Sequence, residues 1–190
     1  MNLRLTKDTP LTTIFLPVIL AGLAWGVASL VLSAPLSLII GIAAGAAATL
    51  KARDHIVVNG LVALIEPIGV ILPLLILRQA LMVLGMPLPS FAALELIMFL
   101  GLYVWFLVAS TGLLPIDPYR LGYEPLPVAI IVLVLCFLAL FSGNWFIPFA
   151  AVVAQALWAK GYGSSNWFDH ILHVSLVPVA LVVLLSRMIG

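Results

Sequence analysis

The chain has 190 residues, of which 65% are hydrophobic and only 8% charged, against about 25% charged in an ordinary soluble domain. A mean hydropathy of +1.31 and a formal net charge of +1 exclude a water-soluble globule and leave no basic surface for nucleic acid. The single cysteine, Cys136, excludes an internal disulfide, a CxxC redox pair and a thiolate zinc site. The expectation is an all-α, polytopic transmembrane helix bundle.

Arg4 and Lys7 precede an apolar run that is too long for a signal peptide and lacks a clean small-residue cleavage site, so residues 11–33 read as a retained first span. Ala34-Pro35 forms a minimal turn. The second span, 36–50, carries Gly41 and Gly45 four apart, with Ala44, Ala48 and Ala52 near the same surface. Small residues at that spacing let helix backbones approach closely and predict a span enclosed by others.

The stretch 51–78, KARDHIVVNGLVALIEPIGVILPLLILR, drives polar groups into otherwise unbroken hydrocarbon. On a helix His55, Asn59 and Glu66 share one face with Ala63, Gly69 and Pro73. Glu66 falls about 15 Å from the helix start, near the middle of a hydrocarbon layer about 30 Å thick. A carboxyl group at that depth is protonated, paired or turned toward a wet cavity, and is by default a functional hypothesis. Pro67 and Pro73 remove backbone donors and free carbonyls, as in an interrupted span whose open groups need protein or cavity water.

The apolar character continues to Gly85, and MPLPS turns the chain into a fourth span, 91–113, whose first turn holds Glu95. Arg78 leaves one span and Glu95 enters the next at similar depth, which predicts an ion pair. Next comes a Pro- and Gly-rich polar loop, 117–127, with Tyr119 and Tyr123 suited to the lipid headgroup boundary. The run 127–158 would be roughly 48 Å long as one helix, well beyond a bilayer core. Ser142-Gly143-Asn144 therefore divides it into spans 128–141 and 145–158, with Gln155 near the second end. After the loop GYGSSNWF and Asp169-His170, a last span covers 171–188.

Seven spans with the N-terminus inside place Arg4, Lys7, Lys51, Arg53, Arg120 and Lys160 on the cytoplasmic face and Arg78 and Arg187 outside, in keeping with the positive-inside tendency. Six spans give the same partition; segment length favours seven. An internal echo supports that number. A hairpin, a small-faced helix, a lysine and an Asp-His-Ile triplet opening a proline-bearing span occur in 11–78 and again in 127–188, with 91–113 as linker. Such a three-plus-one-plus-three order makes the repeats parallel, related by an axis along the membrane normal.

All three histidines lie at the repeated openings: Asp54 and His55 in the first, Asp169, His170 and His173 in the second. If the openings meet, up to five nitrogen and oxygen ligands converge on nickel, cobalt or zinc, and two imidazoles can hold heme iron. The simpler reading is that each aspartate caps a helix and favours its positive end. No GxSxG, phosphate loop or HExxH is present.

Three functions follow as expectations. The first is a small permease of the inner (plasma) membrane, surrounded by lipid and able to self-associate, moving a small solute or cation past Asn59, Glu66 and Gln155 with Glu66 as the proton-coupling group. The second is a membrane subunit of a larger redox or proton-translocating complex. The third is a metal-dependent intramembrane enzyme using the two Asp-His openings.

Overall fold

The structure is a computed structural model that describes residues 10–51, 69–173 and 175–189. These form eight α-helices and a short 3-10 turn, with no strand among the described residues. The helices are α1 (Pro10–Ala28), α2 (Leu36–Lys51), α3 (Ile71–Val83), α4 (Ala93–Ser110), α5 (Pro125–Phe141), α6 (Phe146–Ala159), the five-residue α7 (Trp167–Ile171) and α8 (Leu176–Ile189); the 3-10 turn Tyr119–Tyr123 lies between α4 and α5. Of these, α4 is long and apolar enough to cross a membrane by length and composition, and six shorter apolar helices accompany it.

Proline decides where several helices begin. Pro73, Pro127, Pro148 and Pro178 each stand third in their helix. In the first turn the missing N–H costs nothing, because that donor has no partner inside the helix in any case. Pro73 and Pro178, expected to interrupt spans, therefore open α3 and α8. The last apolar helix accordingly starts at Leu176, where the sequence predicted a span from Ile171, and the first helix ends at Ala28, short of the predicted residue 33.

The chain divides into two compact units, the first containing α1 to α3 and the second α4 to α8. In the first, Ile19 and Leu20 form the core with Leu16, Ala48, Leu72 and Ile76 packed on it. The glycine spacing of α2 lets α1 come close: a Cβ on Gly41 would stand 2.5 Å from Cβ of Trp25, and one on Gly45 2.7 Å from the backbone nitrogen of Ala21. Ala44 and Ile42 are exposed, so α2 is packed along one face and not enclosed. An apolar cavity of about 320 Å³ lies among α1, α2 and α3, lined by residues that include Pro17, Trp25, Leu38 and Ile76.

In the second unit, α5 and α6 form the expected hairpin. Helix α5 ends at Phe141 with Ser142 as its C-cap, and Gly143 takes φ +74°, a backbone state that suits glycine. Cys136 is half-buried in α5, with its Sγ 4.0 Å from the Pro148 carbonyl of α6. Phe91, just ahead of α4, meets Phe146 edge to face at 6.1 Å, and the Arg187 guanidinium of α8 donates to the Phe91 carbonyl. Helix α4, expected from the sequence to link two repeats, belongs to the same compact unit as α5 to α8.

Candidate functional site

Two polar clusters stand out, both inside the second unit. The larger joins the 3-10 turn to α7. Pro118, just ahead of the turn, and Gly122 within it are buried, and Asp117 stabilises the start by accepting from Tyr119 N–H at 3.1 Å. Asn166, fully buried, caps α7: its Oδ1 accepts from Phe168 N–H at 2.8 Å while its Nδ2 donates to the Tyr119 carbonyl at 2.8 Å. Gly122 permits this docking, since a Cβ there would collide with the Asn166 side chain and lie 2.8 Å from Phe168. Phe106 of α4 stacks on Phe168 at 4.5 Å and leans on Tyr119 at 6.3 Å.

Within this frame the Tyr119 hydroxyl donates to Asp169 Oδ2 at 2.5 Å. The carboxylate at Oδ2 and the neighbouring Tyr123 hydroxyl, helped by burial, push the Tyr119 pKa well up, so the phenol keeps its proton. Asp169 is thus the third residue of α7 and a tertiary partner; the cap that its position suggested is supplied by Asn166.

His170 is 1% exposed and turns Nε2 to the Ala154 carbonyl of α6 at 3.1 Å. A carbonyl only accepts, so Nε2 carries the proton and Nδ1 is a buried acceptor without a hydrogen-bond partner. Burial lowers the His170 pKa, and the Ala154 carbonyl opposes it to a lesser degree. His173 Nδ1 takes the N–H of Ser175 at 3.1 Å and its hydroxyl at 2.5 Å, so that nitrogen is an acceptor. The second opening therefore sends its three groups to three different partners. Among the described residues no group of three or more His, Cys, Asp or Glu is placed to hold a metal.

The second cluster surrounds Glu95. Its Oε2 accepts from the Ala92 N–H at 2.7 Å at the start of α4 and from Asn144 Nδ2 at 3.1 Å; its Oε1 accepts from the Ser142 hydroxyl at 2.6 Å. Asn144 is 2% exposed, and its Oδ1 is buried without a hydrogen-bond partner. The residues between α5 and α6, readable as a turn, are also the polar clamp on Glu95. Arg78 belongs to the first unit, on α3, where it is 6% exposed.

Gln155 is half-buried on α6 with its Oε1 buried and without a hydrogen-bond partner. Asp54, His55, Asn59 and Glu66 lie outside the described residues. Tyr119, Asn166, Ser142 and Asn144 are the site residues that sequence reasoning missed. A faint signal existed, since polar residues in so apolar a chain need partners. In comparison with known proteins, the chain matches no family model, no curated protein and no solved structure.

Proposed function

We propose that the chain is a multi-pass helical protein of the inner membrane, with seven spans and a cytoplasmic N-terminus, that moves a small solute or cation with proton coupling through Glu66. One observation carries the membrane part: the helices turn large apolar side chains outward. On α5, Leu126, Leu133, Phe137 and Phe141 are 61–77% exposed, and each such side chain favours an apolar surrounding over water by about 1.5–3 kcal/mol. Only 11% of the apolar window of α4 is buried, and its 18 residues extend about 27 Å, close to the thickness of the hydrocarbon layer.

The transport part is supported by Glu66, read from the sequence as a mid-membrane acid between a polar helix face and two prolines. Gln155 adds a buried carbonyl oxygen without a hydrogen-bond partner on α6. The deciding experiment uses purified protein in lipid vesicles containing a pH-sensitive dye, challenged with gradients of alkali, divalent and small organic cations. Wild-type protein is expected to acidify or alkalinise the lumen in response to at least one of them, and Glu66→Gln to abolish the response. An unchanged response in Glu66→Gln across the pH range would end the coupling claim. Inactive protein that co-purifies with stoichiometric partners would transfer the reading to a subunit of a larger complex.

A further inference from the structure

The seam between α6 and α7 carries buried polar atoms that the protein leaves unbonded. Trp167 and His170 stand three apart on α7, so they share a face of that short helix, and each is 1% exposed. Among the described residues the Trp167 indole Nε1–H and the His170 Nδ1 have no hydrogen-bond partner. Opposite them, Ala151, Ala154, Gln155 and Trp158 follow one face of α6 at spacings of three, four and seven. That face meets the α7 segment on either side of Gln155: the Ala154 carbonyl accepts from His170 Nε2–H at 3.1 Å, and Trp158 Nε1–H donates to the Ser165 carbonyl at 3.1 Å. Gln155 Oε1 is the third buried atom without a partner. We propose that this seam binds one neutral, water-sized molecule, which donates to Gln155 Oε1 and His170 Nδ1 and accepts from Trp167 Nε1–H.

The chemistry of the three atoms selects the ligand. None of them bonds another, and buried donors and acceptors in native proteins find partners in the protein or in a small bound molecule. Two are acceptors and one is a donor, so the occupant must give two protons to hydrogen bonds and offer a lone pair. Water does both, and so does ammonia. A potassium or ammonium ion has no lone pair to take the indole N–H, and a halide has no proton to give.

Charge and size point the same way. The nearest carboxylate along α7, Asp169, is taken by the Tyr119 hydroxyl, and the Nε2–H of His170 is fixed on a backbone carbonyl, which orients its Nδ1 as an acceptor. The α6 face presents the small side chains of Ala151 and Ala154, both buried, beside Gln155. A water-sized molecule needs only about one probe sphere of room and two to four polar partners.

The site deepens the proposed transport function, on which it rests only for the onward passage of its occupant, because Gln155 is one of the path residues. The test reads binding alone. The full chain with isotope-labelled tryptophan is placed in vesicles of deuterated lipid, and solid-state NMR follows magnetisation transfer from small-molecule protons to each indole N–H; the Trp167 signal is the one lost in Trp167→Phe. Although buried, Trp167 is expected to receive transfer from water, and potassium chloride should leave that transfer unchanged. Ammonium chloride at an alkaline pH, where free ammonia is present, separates the two sources: transfer from labelled ammonia in place of water names ammonia as the occupant, and unchanged transfer from water names water. Gln155→Leu keeps the bulk and removes one acceptor, so the transfer should weaken by about two- to tenfold, the effect of one ordinary hydrogen bond. No transfer to Trp167 from either molecule, displacement by potassium, or full transfer in Gln155→Leu would overturn the proposal, and the wild-type arms decide it even if that variant does not fold. Binding at Trp167 in vesicles that move no solute would leave the site standing and end the transport reading, whereas proton-coupled transport with Trp167 silent would do the opposite.

Discussion

Asn144 donates from Nδ2 to Oε2 of Glu95 across 3.1 Å, joining two residues 49 apart in the chain. With Ser142 on the other carboxylate oxygen and the Ala92 N–H beside it, one side chain fixes both the entry of α4 and the turn between α5 and α6. A carboxylate that accepts several bonds at the edge of an apolar bundle anchors that edge.

Glu95→Ala removes the acceptor from all three donors. The expected loss is about 2–3 kcal/mol, the upper range for hydrogen bonds to a charged group, read as a lower unfolding midpoint in mild detergent. Asn144→Ala should cost about 1 kcal/mol, since its Nδ2 bond is lost and its unpartnered Oδ1 is removed with it. Equal midpoints for wild type and Glu95→Ala would contradict the clamp.

Gly45→Ala tests the approach of α1 to α2. The added methyl would stand within 2.8 Å of backbone and side-chain atoms of Ala21, and backbone cannot swing aside, so a destabilisation of about 1–3 kcal/mol is expected. Gly26→Ala serves as control. No atom lies within 4 Å of its Cβ position, and alanine in a helix should be neutral or stabilising by about 0.5–1 kcal/mol. Thermal melts of the two variants should therefore move in opposite directions or differ clearly in size.

His170 gives stability a pH dependence whose sign is fixed. Burial holds its folded-state pKa below the unfolded value of 6.5, so at high pH both states carry a neutral ring and the group contributes no difference. As pH falls below about 6.5 the unfolded chain takes up a proton that the folded one refuses, and stability declines until the folded-state pKa is reached. His170→Gln keeps a donor for the Ala154 carbonyl and cannot charge. Its melting temperature should change less than that of wild type between about pH 7 and pH 5; parallel curves would refute the assignment.

Gly122→Ala should separate the 3-10 turn from α7, because the new methyl occupies the place of the Asn166 side chain. About 1–3 kcal/mol of stability is expected to go with it. The fluorescence of Trp167, 1% exposed in the wild type, should shift toward that of a hydrated indole. An unshifted emission spectrum would show that the turn does not need to approach so closely.

Helices were legible where apolar runs met a polar break. The Ser142-Gly143-Asn144 division of 127–158 matches the gap between α5 and α6, and the small face of α2 does meet a neighbouring backbone. Proline was harder to interpret, because the same residue that breaks a helix interior is harmless in a first turn, and spacing alone does not distinguish the two. Asp169 shows the larger difficulty. Its place before an apolar run suggests a cap, yet the cap is Asn166 three residues earlier, which leaves the carboxylate for Tyr119, 50 residues away. Local pattern has no access to a partner at that separation. Glu66, the residue on which the transport reading depends, lies outside the described residues.

Asn166 divides its amide between a helix start and a distant turn: Oδ1 on the Phe168 N–H, Nδ2 on the Tyr119 carbonyl. Those two segments consequently assemble and come apart as a single cooperative piece. Amide deuteration should reveal it, with Phe168 N–H and the His170 N–H that reaches back to the Asn166 carbonyl opening at a common rate, and Asn166→Asp, which keeps the acceptor and discards the donor, uncoupling the turn while sparing the helix start.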